Sequence, residues 1–206
     1  MFLPNRLSPN REGKIKHIGL SNVSSATLRR AVKIAPVSAV QVDYSPFVLD
    51  IERTLGTDLL ATCRELGIAV VAAVPLGRGL LTSTFASGAP VGDEKDKRVQ
   101  IMPRFMEENR AQNIQVLGQF KALADMRGCA PAQLALAWLL KQGGDIFPIP
   151  GTKRMKYLEE NCASVDVRLS DEDEAKIRSF LESAEIAGDK IPAAFANFYF
   201  VTTREE

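Results

Sequence analysis

The residues best suited to chemistry lie in the stretch Phe147-Pro-Ile-Pro-Gly-Thr-Lys-Arg-Met-Lys-Tyr-Leu-Glu-Glu-Asn161. A short apolar run ends in Pro-Gly, and then Thr152 and the adjacent cations Lys153 and Arg154 open an amphipathic helix. Backbone N–H groups at a helix start carry partial positive charge and lack intrahelical partners, so together with the two cations they make a ready phosphate site. Fixed cations of this kind suit a terminal phosphomonoester such as the 2′-phosphate of NADP(H). The plainer reading of the same residues is a strand–turn–helix with solvated surface charge.

Other chemistries are poorly served. Cys63, Cys129 and Cys162 are far apart and form no Cys-x-x-Cys pair, so they read as reduced thiols of a cytosolic protein. The single histidine, His17, stands among lysines at a strand edge and gives no cysteine a base. Neither a zinc site nor a two-metal site is expected. The chain shows no G-x-G-x-x-G and no P-loop, so a Rossmann or Walker-type nucleotide site is not supported. A net charge of +1, from 26 basic and 25 acidic residues, favours neither nucleic acid nor an anionic membrane as partner. There is no secretory pattern at Met1 and no run of about 18 apolar residues. A cytoplasmic protein is the expectation.

The elements that must position the cations alternate. With 46% apolar and 25% charged residues in a chain of 206, one domain with a sizeable core is expected. A strand over Lys16–Leu20 precedes a helix near Ala26–Ile34, with Leu28, Ala31, Val32 and Ala35 at helical spacing. A strand over Ala39–Tyr44 leads to a helix whose face carries Leu55, Leu59, Cys63 and Leu66 and which Gly67 stops. The run Ile68–Val74 is apolar almost throughout, as in a strand buried on both faces. A polar segment from Leu81 to Asn109 is too long for a bare connection and reads as a functional loop, with a solvated charge run at Asp93–Arg98.

Helices near Asn113–Arg127 and over Pro131–Lys141 come next, the second apolar all round with Trp138 as a core anchor. A fourth strand, Asp145–Ile149, leads into the helix Met155–Cys162, and a last helix starts at the cap Ser170 with Ile177, Phe180 and Leu181 inward. Alternation of this kind means α/β with a parallel sheet. Four such units would leave two unpaired edges.

Six blocks in order then resemble the aldo-keto reductase family, in its pyridoxal reductase-like and perakine reductase-like branch. They are Gly-Lys-Ile-Lys-His-Ile-Gly-Leu-Ser-Asn (13–22), Val-Gln-Val-Asp-Tyr-Ser-Pro-Phe (40–47), Pro-Leu-Gly-Arg-Gly (75–79), Pro-Arg-Phe-Met-Glu-Glu-Asn (103–109), Ala-Gln-Leu-Ala-Leu-Ala-Trp (132–138) and Ile-Pro-Gly-Thr-Lys-Arg (149–154). The resemblance implies the C-terminal half of a (β/α)8 TIM barrel, with sites at the carboxyl ends of the strands. It divides the chain into an unmatched segment 1–12, which reads as a new start after truncation, a partial barrel 13–185 and a tail 186–206.

It also implies NADPH-dependent reduction of an aldehyde or ketone. Carried over by position, Ser21, Asn22 and Gln41 would hydrogen-bond the nicotinamide carboxamide. Pro75, Leu76, Gly77, Arg78 and Gly79 would lie along the pyrophosphate. Gly151, Thr152, Lys153 and Arg154 would take the 2′-phosphate, with Glu160 and Asn161 on the adenine side.

Two departures stand out. The family's Tyr-Ser before the Pro-Leu-Gly block is replaced by Ala73 and Val74, so the usual aromatic surface under the nicotinamide is absent. The family's acid–base tetrad of Asp, Tyr, Lys and His precedes the matched region, and neither His17 nor Tyr44 corresponds to its members. No catalytic residue is therefore assigned. The open readings are a reductase by descent, a non-catalytic NADP(H)-binding half-barrel or inactive remnant, and a half-barrel that self-associates through its open edges. Phe195, Phe198, Tyr199 and Phe200 either pack over the rim or line a substrate pocket.

Overall fold

The computed structural model describes residues 13–90, 92 and 95–203. Residues 1–12, and Asp93 and Glu94 of the charge run, lie outside the described residues. Four strands, β1 (Gly19–Ser21), β2 (Ala39–Asp43), β3 (Ala69–Ala73) and β4 (Ile146–Pro148), form one sheet in chain order. All three pairings are parallel, with Ser21 opposite Gln41, Gln41 opposite Val71, and Val71 opposite Phe147. That register lines up one residue from each strand in a single row.

The two faces of the sheet differ. Val40, Val70 and Ile146 are buried under the helices, as period-two alternation requires of one face. Ser21 and Gln41 on the other face are exposed, Val71 is half-buried and Phe147 is 53% exposed. The sequence reading of the Ile68–Val74 run as buried on both faces is thus corrected: Val70 and Ala72 are buried, while Ala69, Val71 and Ala73 are only partly covered. Among the described residues no strand pairs with the outer side of β1 or β4.

The helices are α1 (Ser25–Ile34), α2 (Leu59–Glu65), α3 (Ser83–Ala86), α4 (Arg98–Ile101), α5 (Glu107–Met126), α6 (Pro131–Lys141), α7 (Met155–Cys162) and α8 (Asp171–Ser183). Ser24 caps α1 by accepting from Thr27 N at 3.2 Å. Ser170 and Asp173 form a reciprocal capping box on α8, and acids in its first turn suit the positive helix end. Helix α6 is buried along most of its length, with Trp138 fully enclosed.

Several boundaries move. The first strand begins at Gly19 rather than Lys16, which leaves His17 exposed with Nδ1 3.1 Å from Ser38 Oγ. Leu55 does not share the apolar face of α2: residues 50–56 form two 3-10 turns, and Leu55 is 75% exposed. The segment expected as a long loop holds α3, α4, a 3-10 turn at Pro103–Phe105 and the start of α5. Short helices of one turn leave little periodicity to read.

A polar network ties α8 to the end of β2. Tyr44 is buried edge-on to Trp138 and donates its hydroxyl proton to Glu52. Arg178 on α8 donates to Glu52 Oε2 at 2.6 Å and to Gln142 Oε1 at 2.7 Å, with its guanidinium 4.8 Å over the Trp138 ring. The half-buried Glu52 carboxylate is met there by both a cation and a hydroxyl.

Candidate functional site

A cleft of about 740 Å³ opens between the turn after β3 and the start of α7. The turn at residues 74–79 is built from unusual backbone: Val74, Gly77, Arg78 and Gly79 have φ of 51°, 58°, 59° and 100°. Left-handed φ at a valine and an arginine costs on the order of 1–3 kcal/mol each, the kind of strain that collects at ligand-holding turns. Gly77 N donates to Val74 O at 2.9 Å and Gly79 N to Leu76 O at 3.0 Å, which fixes the turn. Leu80 N and Leu81 N likewise donate to Gly77 O and Leu76 O at 3.2 Å, so these four N–H groups are used inside the turn rather than aimed at the cleft.

Across the cleft, α7 begins at Met155 after Arg154, and no side chain caps it. Tyr157 N and Leu158 N both donate to Arg154 O at 3.1 Å, which leaves the N–H groups of Met155 and Lys156 without intrahelical acceptors. Thr152 Oγ1 instead accepts from Arg154 N at 3.2 Å, one step ahead of the helix. Lys153 and Arg154 are exposed and, among the described residues, neither forms an ion pair; Arg154 lies 5.8 Å over the ring of Tyr157. Two cations and an uncapped helix start therefore face one cleft, which Glu160 also lines, and neither cation is held in an ion pair among the described residues.

The structure brings Pro75, Leu76, Arg78, Gly79, Gly151, Thr152, Lys153, Arg154, Glu160 and Asn161 together along this cleft. Gly77 belongs to the turn but does not line the opening. Ser21, Asn22 and Gln41 form a second group, at the carboxyl ends of β1 and β2 on the open face. Ser21 and Gln41 are paired in register, and Asn22 N donates to Gln41 O at 2.9 Å. Asp43, two residues beyond Gln41, links the groups: Arg78 Nη2 lies 3.9 Å from its Oδ2.

Sequence reasoning missed Thr82, Arg98 and Tyr157, which also line the cleft. Tyr157 follows Arg154 at i, i+3 spacing and was findable on that ground. Arg98 closes the charge run that reads as solvated in the sequence. It is instead a half-buried strut that pairs with Asp96, stacks 5.4 Å over Phe105 and donates to the carbonyl of Arg78. Its hydrogen bonds hold the Asp96 carboxyl below the usual carboxylate range. Nothing local in the sequence distinguishes Arg98 from its charged neighbours.

The tail crosses the carboxyl ends of the first two strands. Val201 pairs with the segment after β1: its N donates to Asn22 O at 2.8 Å, and its carbonyl accepts from Ser24 N at 3.1 Å. Tyr199 donates to Asp43 Oδ2 at 2.9 Å, and Lys190 Nζ lies 4.6 Å over the Tyr199 ring. Burial pushes the Tyr199 hydroxyl above its ordinary pKa, so it holds its proton at neutral pH. Phe195 and Phe198 are exposed and face each other at 6.3 Å. The aromatic cluster thus splits, with Tyr199 packing over the rim and the two phenylalanines outside it. No helix among the described residues is long and apolar enough to cross a membrane.

A family model described as the aldo/keto reductase family matches residues 9–182. The aldo-keto reductase yakc (NADP(+)) of Schizosaccharomyces pombe is 45% identical over 193 residues, which is 93% of this chain and 55% of the relative. The aldo-keto reductase str7 of Strobilurus tenacellus is 43% identical over 180 residues, 87% of this chain and 53% of the relative. The chain therefore spans about half the length of the curated relatives it matches. Among solved structures, a thermostable aldo-keto reductase in complex with the inhibitor epalrestat aligns with a TM-score of 0.64 at 25% identity, covering 86% of this chain and 53% of that one. A glycerol dehydrogenase from Gluconobacter oxydans aligns at 0.69 with 24% identity, covering 86% and 52%, a likeness of fold alone. The four parallel strand–helix units are half of a TIM barrel.

Proposed function

The chain belongs to the aldo/keto reductase family, and on that premise we propose that its cleft binds NADP(H) and that it carries the cofactor side of a carbonyl reductase. The observation that carries this reading is the pair Lys153 and Arg154, without an ion pair among the described residues, at the uncapped start of α7 and opposite the strained turn at residues 74–79. Two cations beside free helix N–H groups match a phosphomonoester dianion far better than a neutral ribose hydroxyl. Lys153, Arg154, Gly151 and Thr152 would hold the 2′-phosphate, and the turn with Arg78 the pyrophosphate. Ser21, Asn22 and Gln41 would take the carboxamide, where an amide needs donors and acceptors together. Glu160 and Asn161 would hold the adenine.

When bound, the cofactor supplies hydride to the carbonyl carbon of an aldehyde or ketone. We assign none of these residues to the acid–base tetrad that the resemblance implies. On that assignment the reading is of a chain that binds NADP(H) without turning over alone, since a general acid contributes about 10²–10⁴-fold. The outer edges of β1 and β4 support self-association as part of the same proposal. A monomeric mass by light scattering would remove that part.

Fluorescence titration of the purified chain with NADPH and with NADH tests the reading. We expect NADPH to bind and NADH to bind at least about tenfold more weakly, because charge-assisted phosphate contacts are worth roughly 1.5–3 kcal/mol. Equal affinity for the two, or binding of neither, would overturn it. NADPH consumption with a simple aldehyde would overturn the non-catalytic part alone.

A further inference from the structure

The carboxyl ends of the first three strands offer a carboxamide-bearing ring polar groups but no flat surface of their own. At that level β3 contributes Ala73, which stands opposite Asp43 in the register, followed by Val74. The aromatic residue after β2, Tyr44, is fully buried on the other side against Trp138. The tail brings an aromatic residue to the strand end that carries Asp43. Tyr199 is held to Asp43 Oδ2 at 2.9 Å, and Val201 is hydrogen-bonded to Asn22 and Ser24. Because Asp43 follows Gln41 by two residues on the same strand face, the Tyr199 hydroxyl is anchored about 7 Å along β2 from Gln41. A tail residue far away in sequence is therefore placed beside the group read as the carboxamide site.

We propose that Tyr199 is a positioning residue for the dinucleotide, supplying from the C-terminal tail the aromatic surface against which its nicotinamide ring lies, with Asp43 fixing the phenol in place. Lys190 lies over the same ring, so the phenol is clamped from a third direction. The inference rests on the NADP(H) reading. A planar amide heterocycle gains from a rigid ring that loses little freedom on binding, and the Tyr199–Asp43 bond removes that freedom beforehand.

The test compares NADPH with 2′,5′-ADP, which keeps the adenine and the 2′-phosphate but has no nicotinamide, on wild-type chain, Tyr199→Phe and Tyr199→Ala. We expect Tyr199→Ala to weaken NADPH binding by about five-fold and 2′,5′-ADP binding by less than about 1.5-fold. Tyr199→Phe keeps the ring and should retain most of the NADPH affinity, which separates loss of the platform from loss of the tail fold. An equal loss for both ligands, no loss for either, or tighter NADPH binding in Tyr199→Ala would each overturn the proposal, the last because it would mean that the ring occupies the ligand's place. If wild-type chain binds 2′,5′-ADP but NADPH no better, this inference fails and the phosphate site stands. If it binds neither ligand, both fail.

Discussion

Gly79 sits at φ +100° directly beneath the guanidinium of Arg98, and a Cβ built on it would lie 2.5 Å from Arg98 Nη1. The arginine approaches this closely because it donates to the carbonyl of Arg78, the neighbouring residue in the turn. One small residue therefore serves two ends: it adopts a backbone conformation that a side chain resists, and it admits the strut that holds the turn.

Gly79→Ala should cost about 1 kcal/mol or more, mostly through the left-handed φ, since the flexible Arg98 tip can swing aside. We expect a lower urea midpoint and NADPH binding weakened several-fold. Unchanged midpoint and affinity would show that the turn relaxes without penalty and does not serve the cleft.

Lys153→Ala and Arg154→Ala should each weaken NADPH binding by roughly tenfold and leave NADH almost unaffected, as expected for charge-assisted contacts to a phosphate. Both residues are exposed and free of ion pairs among the described residues, so neither change should alter stability by more than about 0.5 kcal/mol. Titrations at two salt concentrations provide the check, because the wild-type preference for NADPH should shrink as salt rises.

Tyr44→Phe removes the buried hydroxyl that donates to Glu52 and should cost about 1 kcal/mol at pH 8. Burial, and then the Glu52 charge, hold this phenol well above its ordinary pKa. The stability it contributes is fully present below about pH 10, where the unfolded tyrosine ionises, and drains away as the pH rises further. Phenylalanine does not titrate. The difference in urea midpoint between wild type and Tyr44→Phe should therefore narrow above about pH 10, and a gap independent of pH would contradict the assignment.

Trp138→Ala should cost roughly 3–5 kcal/mol by opening a cavity beneath Tyr44 and Arg178. Trp138→Phe should cost much less. Among the described residues the buried indole Nε1 has no hydrogen-bond partner, so its removal relieves a polar group that burial penalises and offsets part of the lost contact. Thermal melts of the two variants test the contrast, and equal losses would show that the indole N–H is satisfied after all.

The amino-acid order alone determined the alternation, because each strand–helix unit writes its own period: Val40 and Val42 at spacing two, Leu28 and Ala31 at spacing three. It also determined the α6 and α7 bounds, which Pro131 and the Pro150-Gly151 turn punctuate locally. The grouping of Gly151 to Arg154 along one cleft was legible for the same reason, since the four residues are contiguous. Leu55 misled because an apolar residue at helical spacing says nothing of whether the helix has yet begun, and here 3-10 turns precede it.

Only the tertiary structure decided the rest. The exposure of one sheet face depends on what covers it, and a strand's own sequence cannot report that. Arg98 became a strut only when the chain folded its guanidinium onto the turn holding Arg78 and Gly79. Tyr199 met Asp43 across 156 positions, a pairing set by where the tail is led after α8 rather than by any local pattern. Short-range preferences act within a few residues and can be read in order, whereas contacts between distant segments are fixed by packing, and those are what join the two halves of this site.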